Sequence, residues 1–284
     1  MKHRRIVAGV LLLAALMVLA SASTASATSM LVVGSGPVNL GSTAGFAVLG
    51  LDVTNLGTSN VTGDLGSISP PSGSPITVNG NTIVGKSALT TAFVDLRAAF
   101  DDAWGRSYTE TFTADLGGRT LLPGVYLDAD PRPTTIDING VLTLDAQGNP
   151  EAVWIFQSKS ALALGANSQI RLINGARFCR VFWVVNSAQL GAGSHLEGHV
   201  FAWGDIDAGQ GATVNGQLLA GANLEEEGTV NLNGNTIVNG PCTPRLPKTG
   251  YPPEKTTFPW GIAAAIAILA AAVVAPRLRA STRR

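Results

Sequence analysis

The most informative pattern in this chain is an alternation of apolar and polar residues that recurs at a fixed distance. Residues 196–202 align with residues 214–220 after a shift of 18, with their apolar positions and central glycine in register, and a further shift of 18 gives residues 232–237. Earlier copies occur at residues 61–65 and 164–170. This period fits three short strands joined by three corners, so the pattern predicts a β-solenoid with a dry interior.

One segment departs from this alternation. Between Lys86 and Arg106, apolar residues recur at spacings of three and four, which predicts an amphipathic helix of about five turns. The apolar positions are Leu89, Phe93, Leu96, Phe100, Ala103 and Trp104. We expect this helix to lie along the solenoid and to cover a face that would otherwise be exposed. The predicted class is therefore mainly β, with one long α-helix beside the coils.

The N-terminal end carries an apolar run without alternation. Basic residues at positions 2–5 precede the run 6–20, and a stretch of small residues leads to Ala27. This order predicts a signal peptide over residues 1–27, cleaved after Ala27. The alternative is a short membrane anchor that stays in place.

The C-terminal end has three parts. A Pro-rich linker, 241–257, contains the pentapeptide LPKTG at residues 246–250, the segment 258–275 has no charge, and the tail 276–284 carries four arginines. Eighteen helical residues span about 27 Å, so the segment 258–275 is predicted to cross a bilayer, with the basic tail in the cytoplasm.

This combination resembles the cell-wall sorting signal of Gram-positive surface proteins. The resemblance implies that a sortase cleaves between Thr249 and Gly250 and joins the chain to peptidoglycan, so that the membrane helix holds the protein only before sorting. The alternative is a plain C-terminal membrane anchor. Both interpretations place the predicted solenoid domain, residues 28–240, outside the cell.

The charge distribution argues against some partners. The two removable ends hold eight of the 19 basic residues and one of the 19 acidic residues, which leaves 11 basic and 18 acidic residues, a net charge of −7, in residues 28–249. Nucleic acid and anionic lipid attract basic surfaces, so neither is an expected ligand.

The chain contains two cysteines, Cys179 and Cys242, both in the part predicted to be exported. A pair of cysteines in an oxidising compartment predicts one disulfide, and a zinc site needs more ligands than this pair offers.

The sharpest local cluster of metal-ligand residue types is His195, Glu197 and His199. At the two-residue period of a strand, their side chains share one side and could hold a transition metal. We favour instead a row of solvated polar residues, because the positions 18 residues on are Thr213, Asn215 and Gln217. No metal, no other cofactor and no catalytic constellation is predicted, so the chain is not expected to be an enzyme.

A series of short motifs appears in a fixed order. They occupy residues 63–66, 100–103, 121–126, 142–148, 152–157, 172–176, 181–183 and 212–216. Together they resemble the microbial ice-binding-protein family with a discontinuous β-solenoid, over about residues 40–239. The resemblance implies a triangular solenoid, a long helix beside it, and N-terminal strands that join the C-terminal coils. It implies neither catalytic residues nor a cofactor.

Ice-binding members of this family often carry Thr-Gly/Ala-x-Thr/Asn quartets in successive coils. The corresponding segments here are 192–195, 210–213 and 228–231, and the first threonine is absent from all three. The candidate ice contacts are Ser194, Thr213, Thr229 and Asn231, with acidic residues at 207 and 225–227 near them.

Two functions follow from this partial match. The first is a surface-anchored protein that binds ice through a flat solenoid face. The second is a wall-linked adhesin or structural module that keeps the fold without ice activity and binds another extracellular ligand.

Overall fold

The structure is a computed structural model that describes residues 36–113, 115–129, 135–223 and 228–242. The predicted signal peptide with Ala27, the acidic residues 225–227, the sorting motif with Thr249 and Gly250, and the apolar run 258–275 lie outside the described residues. Within the described ranges, no helix is long and apolar enough to span a membrane.

The first part of the described chain runs from a short 3-10 helix, Gly41–Gly45, to the end of the α-helix. Its strands are β1 Phe46–Gly50, β2 Asp52–Asn55, β3 Ser59–Thr62, β4 Asp64–Ser67, β5 Ser72–Gly73, β6 Ile76–Asn79 and β7 Thr82–Val84. The helix α1 spans Lys86–Gly105, which confirms the prediction to within one residue.

The second part contains the remaining strands and a second 3-10 helix, Phe178–Arg180. Its strands are β8 Glu110–Phe112, β9 Thr120–Leu121, β10 Gly124–Asp128, β11 Ile136–Ile138, β12 Val141–Asp145, β13 Trp154–Gln157, β14 Ala161–Leu164, β15 Gln169–Ile173, β16 Val181–Val185, β17 Ser187–Leu190, β18 His195–Ala202, β19 Ile206–Ala208, β20 Thr213–Ala220, β21 Thr229–Leu232 and β22 Thr236–Val238.

The strands pair in parallel and form the three faces of a β-solenoid, as predicted. The helix face contains β8, β10, β13, β16, the second halves of β18 and β20, β1, β4 and β7. The threonine face contains β9, β12, β15, the first halves of β18 and β20, β22, β3 and β6. The aspartate face contains β11, β14, β17, β19, β21, β2 and β5.

The N-terminal strands complete the C-terminal coils. Strand β1 pairs with β20, β2 with β21, and β3 with β22. This confirms the discontinuous arrangement that the family resemblance implied, in which strands distant in sequence lie next to each other. The N-terminal segment therefore continues the last coils, and its strands pair with the edges that β20, β21 and β22 would otherwise expose.

Two long strands turn from the threonine face to the helix face without interruption. Both bend at a glycine, Gly198 with φ of 117° and Gly216 with φ of 138°. A Cβ on Gly216 would lie 1.8 Å from the carbonyl oxygen of Gly198, so no other residue fits this corner. The outward side chains on the two sides of each bend consequently belong to different surfaces.

The interior of the solenoid and the contact with α1 form two separate apolar cores. Inside the coils, the rings of Phe156 and Trp183 stack with centroids 4.1 Å apart, and Val200 and Leu218 continue their column in the following coils. The second core lies between α1 and the outward side chains of the helix face, including Phe201 and Leu219. The helix covers this face, as expected.

The repeat is less regular than its sequence pattern. His195 pairs with Thr213, which confirms the first shift of 18, but Thr213 pairs with Thr236, a shift of 23. The reason is the corner after β20, which has eight residues (221–228) where the corner after β18 has three (203–205). The second predicted shift of 18 is therefore wrong.

Candidate functional site

The most regular open surface is one end of the threonine face, where outward side chains from β20, β22, β3 and β6 form two columns. The first column is Thr213, Thr236, Asn60 and Thr77, and the second is Asn215, Val238, Thr62 and Asn79. We call these eight residues the uncharged half of the threonine face. Because they alternate with residues that are buried on β20, β22 and β3 and partly buried on β6, all eight project outward from a single parallel sheet.

The neighbouring strand of the threonine face, β18, carries an acidic side chain as well as uncharged polar groups. His195 Nδ1 lies 2.8 Å from Thr213 Oγ1, and His195 Nε2 lies 2.9 Å from Glu197 Oε1. Asn215 donates a hydrogen bond of 2.9 Å to the same carboxylate oxygen. This network borders the uncharged half and fixes the orientation of Thr213, the one original ice candidate that lies on this face with an outward side chain.

The third member of the predicted histidine–carboxylate row lies elsewhere. His199 follows the bend at Gly198, and its side chain is 2 % exposed on the helix face, between the rings of Phe178 and Phe182. Burial lowers the pKa of His199 to about 4, against the opposing effects of the Cys179 backbone and Gln217, so the imidazole is neutral at pH 7.

The row is therefore neither a metal site nor a solvated surface. Among the described residues, no group of three or more His, Cys, Asp or Glu side chains is placed to hold a metal ion. Glu197 is only 4 % exposed, so the interpretation of all three residues as solvated is wrong as well. The predicted shift of 18 residues is confirmed here. His195 pairs with Thr213, Glu197 with Asn215 and His199 with Gln217.

Ser194 cannot contact ice. Its side chain is fully buried, as are those of its counterparts at the same corner of neighbouring coils, Ser168, Ala212 and Asn235. The residue immediately before each of β15, β18, β20 and β22 is buried in this way, so the third position of a quartet is an interior position. The prediction that Ser194 contacts ice is therefore wrong.

Thr229 and Asn231 lie on the aspartate face. Both belong to β21, where Asn231 pairs with Thr54 on one side and Asp207 on the other. Thr54 donates a 2.6 Å hydrogen bond to Asn231, which donates one of 2.7 Å to Asp207. The polar groups of this column are thus used within the protein, and they are next to an exposed carboxylate.

The aspartate face is also uneven. A groove of about 290 Å³ runs between Thr54, Asp207 and Asn231, and the side chain of Leu56 beside it is 79 % exposed. At the other end of the face, burial and the nearby Asp115 and Asp128 raise the pKa of Asp137. Carboxylates and a protruding leucine make this surface a poor match for a flat solid.

The structure joins Cys179 and Cys242 in a disulfide, with Cα atoms 5.6 Å apart. The bond ties the chain after the last strand, β22, to the 3-10 helix before β16. It closes a loop across 63 positions of sequence.

Most residues of the uncharged half were not predicted from the sequence as ice contacts. Thr236 occupies the place of Thr213 in the next coil, and Asn60 and Thr77 continue the column. A signal for Thr236 was present, because the segment 233–236, Asn-Gly-Asn-Thr, resembles the quartets more closely than the segment 228–231 does. The fixed shift of 18 obscured it.

The fold agrees with comparisons to known proteins. Residues 20–238 match the family model described as "Ice-binding-like", and the chain belongs to this family. An ice-binding protein from Nostoc sp. (strain HG1) is 32 % identical over 225 residues, which cover 78 % of each chain. An ice-binding protein from Flavobacterium frigoris (strain PS1) is 31 % identical over 204 residues, 64 % of this chain and 71 % of that protein.

A solved structure supports the same assignment. The crystal structure of an ice-binding protein from the Antarctic ascomycete Antarctomyces psychrotrophicus superimposes with a TM-score of 0.65 at 35 % identity, over 72 % of this chain and 99 % of that chain. The recognition of the family from ordered sequence motifs is confirmed.

Proposed function

We propose that the exported domain binds ice through the uncharged half of the threonine face. The observation that carries the proposal is the pair of outward columns that run in register across four parallel strands, with threonine or asparagine at seven of eight positions. Parallel strands lie about 4.8 Å apart, so the columns present a regular grid of hydroxyl, methyl and amide groups. Such a grid can hold ordered water that merges with an ice lattice.

The other two faces offer weaker candidates. The helix face is covered by α1, whose buried side chains pack on it. The aspartate face carries Asp52, Asp137 and Asp207 on its outward positions, and a carboxylate holds hydration water strongly. Among the described parts of the three faces, only the threonine face combines openness, regular spacing and a region without formal charge.

The test compares matched tyrosine substitutions on two faces. Thr236→Tyr places a bulky ring in the centre of the uncharged half and should abolish thermal hysteresis and ice-crystal shaping by the purified protein. Thr229→Tyr places the same ring on the aspartate face and should leave both unchanged. Both positions project outward, so melting temperatures close to the wild-type value should show that each fold is intact.

The outcomes separate the two functions raised by the sequence. Loss of activity in Thr229→Tyr with retention in Thr236→Tyr would move the ice contact to Thr229 and Asn231. A wild-type protein that neither shapes ice crystals nor shows thermal hysteresis would favour the adhesin or structural module.

We also propose that the protein is exported and held at the cell surface. The signal-peptide pattern that ends at Ala27 and the LPKTG motif followed by an apolar segment and arginines support this. Mass spectrometry of wall material released by muramidase should find chains that begin after Ala27 and end at Thr249. Intact chains through Arg284, found only in membranes, would favour the plain membrane anchor.

A further inference from the structure

A second recessed surface lies away from the threonine face. It is a groove of about 380 Å³ between the C-terminal half of α1 and the corner where the helix face meets the aspartate face. Its lining includes Arg97, Asp101, Trp104, Lys159, Asn186 and Trp203. We call it the tryptophan groove.

The indole of Trp203 is held in place by its neighbours. The guanidinium carbon of Arg97 lies 4.5 Å from the centre of the Trp203 ring, and Phe100 meets the ring edge to face with centroids 5.5 Å apart. Asp101 in turn fixes Arg97 through an ion pair of 2.8 Å. The groove therefore presents a pre-oriented aromatic surface, which lowers the entropy cost of binding.

Both tryptophans that line the groove remain half-buried, although most large apolar side chains of this domain are fully enclosed. Trp104 stacks beside Phe100 on the helix side, and Trp203 lies on the solenoid side. An accessible pair of indoles in a recess of this volume is a feature of ligand sites, since such sites combine aromatic walls with a few polar groups.

The polar groups at the rim narrow the chemistry of the ligand. Arg97 and Asp101 neutralise each other, whereas Lys159 is exposed and forms no ion pair with any described residue. The three charges leave the groove with a net charge of +1 in an exported segment whose net charge is −7. Asn186 adds an exposed amide that can both donate and accept hydrogen bonds.

We propose that the tryptophan groove binds an acidic oligosaccharide. A pyranose ring has apolar C–H groups that pack on indole and hydroxyls that bond to an amide such as that of Asn186, while a uronate carboxylate pairs with Lys159. A purely apolar ligand would leave Lys159 and Asn186 unused, and a polyphosphate would need more than one unpaired cation. The proposal does not depend on ice binding, because the two surfaces share no residue.

Isothermal titration of the purified full-length chain with tetragalacturonate tests the proposal, with cellotetraose as a neutral probe of the same length. We expect saturable binding of tetragalacturonate and binding of cellotetraose that is weaker by about tenfold or more, since a hydrogen bond to a charged group contributes about 1.5–3 kcal/mol. Lys159→Ala should remove this preference, and Trp203→Phe, which keeps an aromatic ring beside Phe100, should weaken both interactions.

Tyr108→Ala is the matched control, because Tyr108 is 55 % exposed and lies outside the groove. It should leave the titration unchanged, and Asn186→Ala, at an exposed position, should weaken binding without a change in melting temperature. The proposal is overturned if tetragalacturonate gives no saturable heat, if cellotetraose binds equally well, or if Lys159→Ala and Asn186→Ala both keep wild-type affinity.

Discussion

Strand β20 lets two surfaces of this protein be compared on one backbone. Before Gly216, its outward side chains are Thr213 and Asn215, and this half of the strand belongs to the open threonine face. After Gly216 they are Gln217 and Leu219, and this half lies beneath the N-terminal 3-10 helix and α1. The strand spacing and the parallel pairing are the same on both sides.

The difference lies in the outward side chains. On the helix face, the columns that include Phe201, Leu219 and Leu49 are apolar, and their removal from water contributes about 25 cal/mol per Å² of buried area. On the threonine face, covering the hydroxyls and amides would require new hydrogen-bond partners. One sheet geometry thus serves either as an attachment site for a helix or as an open grid.

Gln157 and Gln217 show how polar residues are accommodated on the covered face. Gln157 Nε2 donates to the carbonyl oxygens of Ala103 and Arg106 at the end of α1, at 2.7 and 3.0 Å. Gln217 Nε2 donates to Thr43 and Phe46 at the 3-10 helix. Buried amides on this face bond to the covering segment, whereas the amides of the threonine face remain accessible.

The largest expected effect comes from an apolar truncation on the helix face. Phe201→Ala removes a fully buried ring that packs on Phe182, and it should lower the free energy of unfolding by about 3–5 kcal/mol. Thr77→Ala on the threonine face should change it by less than about 0.5 kcal/mol. Denaturant titrations measure both, and equal effects would contradict the contrast between the faces.

The disulfide should have an effect of similar size. Replacing Cys179 and Cys242 together with serine should lower the free energy of unfolding by about 4 kcal/mol in the chain-entropy model, because the bond spans 63 positions. Reduction of the wild-type protein serves as a control, since the chain has no other cysteine. Free alkylation of both thiols in the native protein would show that the bond is absent.

A smaller effect on the free energy of unfolding depends on pH and comes from His199, which also lies on the helix face. The pKa of His199 is about 4 in the folded protein and near 6.5 when unfolded, so between these values the unfolded chain binds more protons. The contribution of His199 to the free energy of unfolding is therefore at its maximum above about pH 6.5 and decreases as the pH falls towards 4. The loss between pH 7 and pH 5 should be about 2 kcal/mol.

Thermal melts of His199→Leu test this prediction. The variant should lose that part of the pH dependence, while His195→Gln, on the threonine face of the same strand, should retain it. An unchanged difference between pH 7 and pH 5 in His199→Leu would assign the acid sensitivity to other groups.

The smallest expected effect on stability is at the threonine face, where activity should nevertheless change. Thr62→Val keeps one methyl group and replaces the hydroxyl of a half-buried outward residue, so the free energy of unfolding should change by less than about 0.5 kcal/mol. Thermal hysteresis should fall if hydroxyls order the bound water. Thr229→Val on the aspartate face is the control, and an equal fall in both variants would contradict a specific role for the threonine face.

Much of this architecture could be predicted because it depends on local patterns. The spacing of Leu89, Phe93 and Leu96 sufficed for α1, and the period-two alternation around Leu196 and Val214 sufficed for the coils. These patterns are properties of the chain itself, since a helix or strand buries whichever side chains its own period places on one side. The family resemblance added the order in which distant strands pair.

The binding surface could not be predicted in the same way, because it depends on corners and on pairing between distant strands. Five additional residues after β20 move Thr229 and Asn231 to the aspartate face, and the left-handed glycine at 198 turns His199 away from His195. Asn60 lies beside Thr236, and Thr77 beside Asn60, only because N-terminal strands continue the C-terminal coils. The sequence determined which side chains point out of each strand, and the tertiary structure decided which of them share a face, since the neighbours of a strand are set by loop length and long-range pairing.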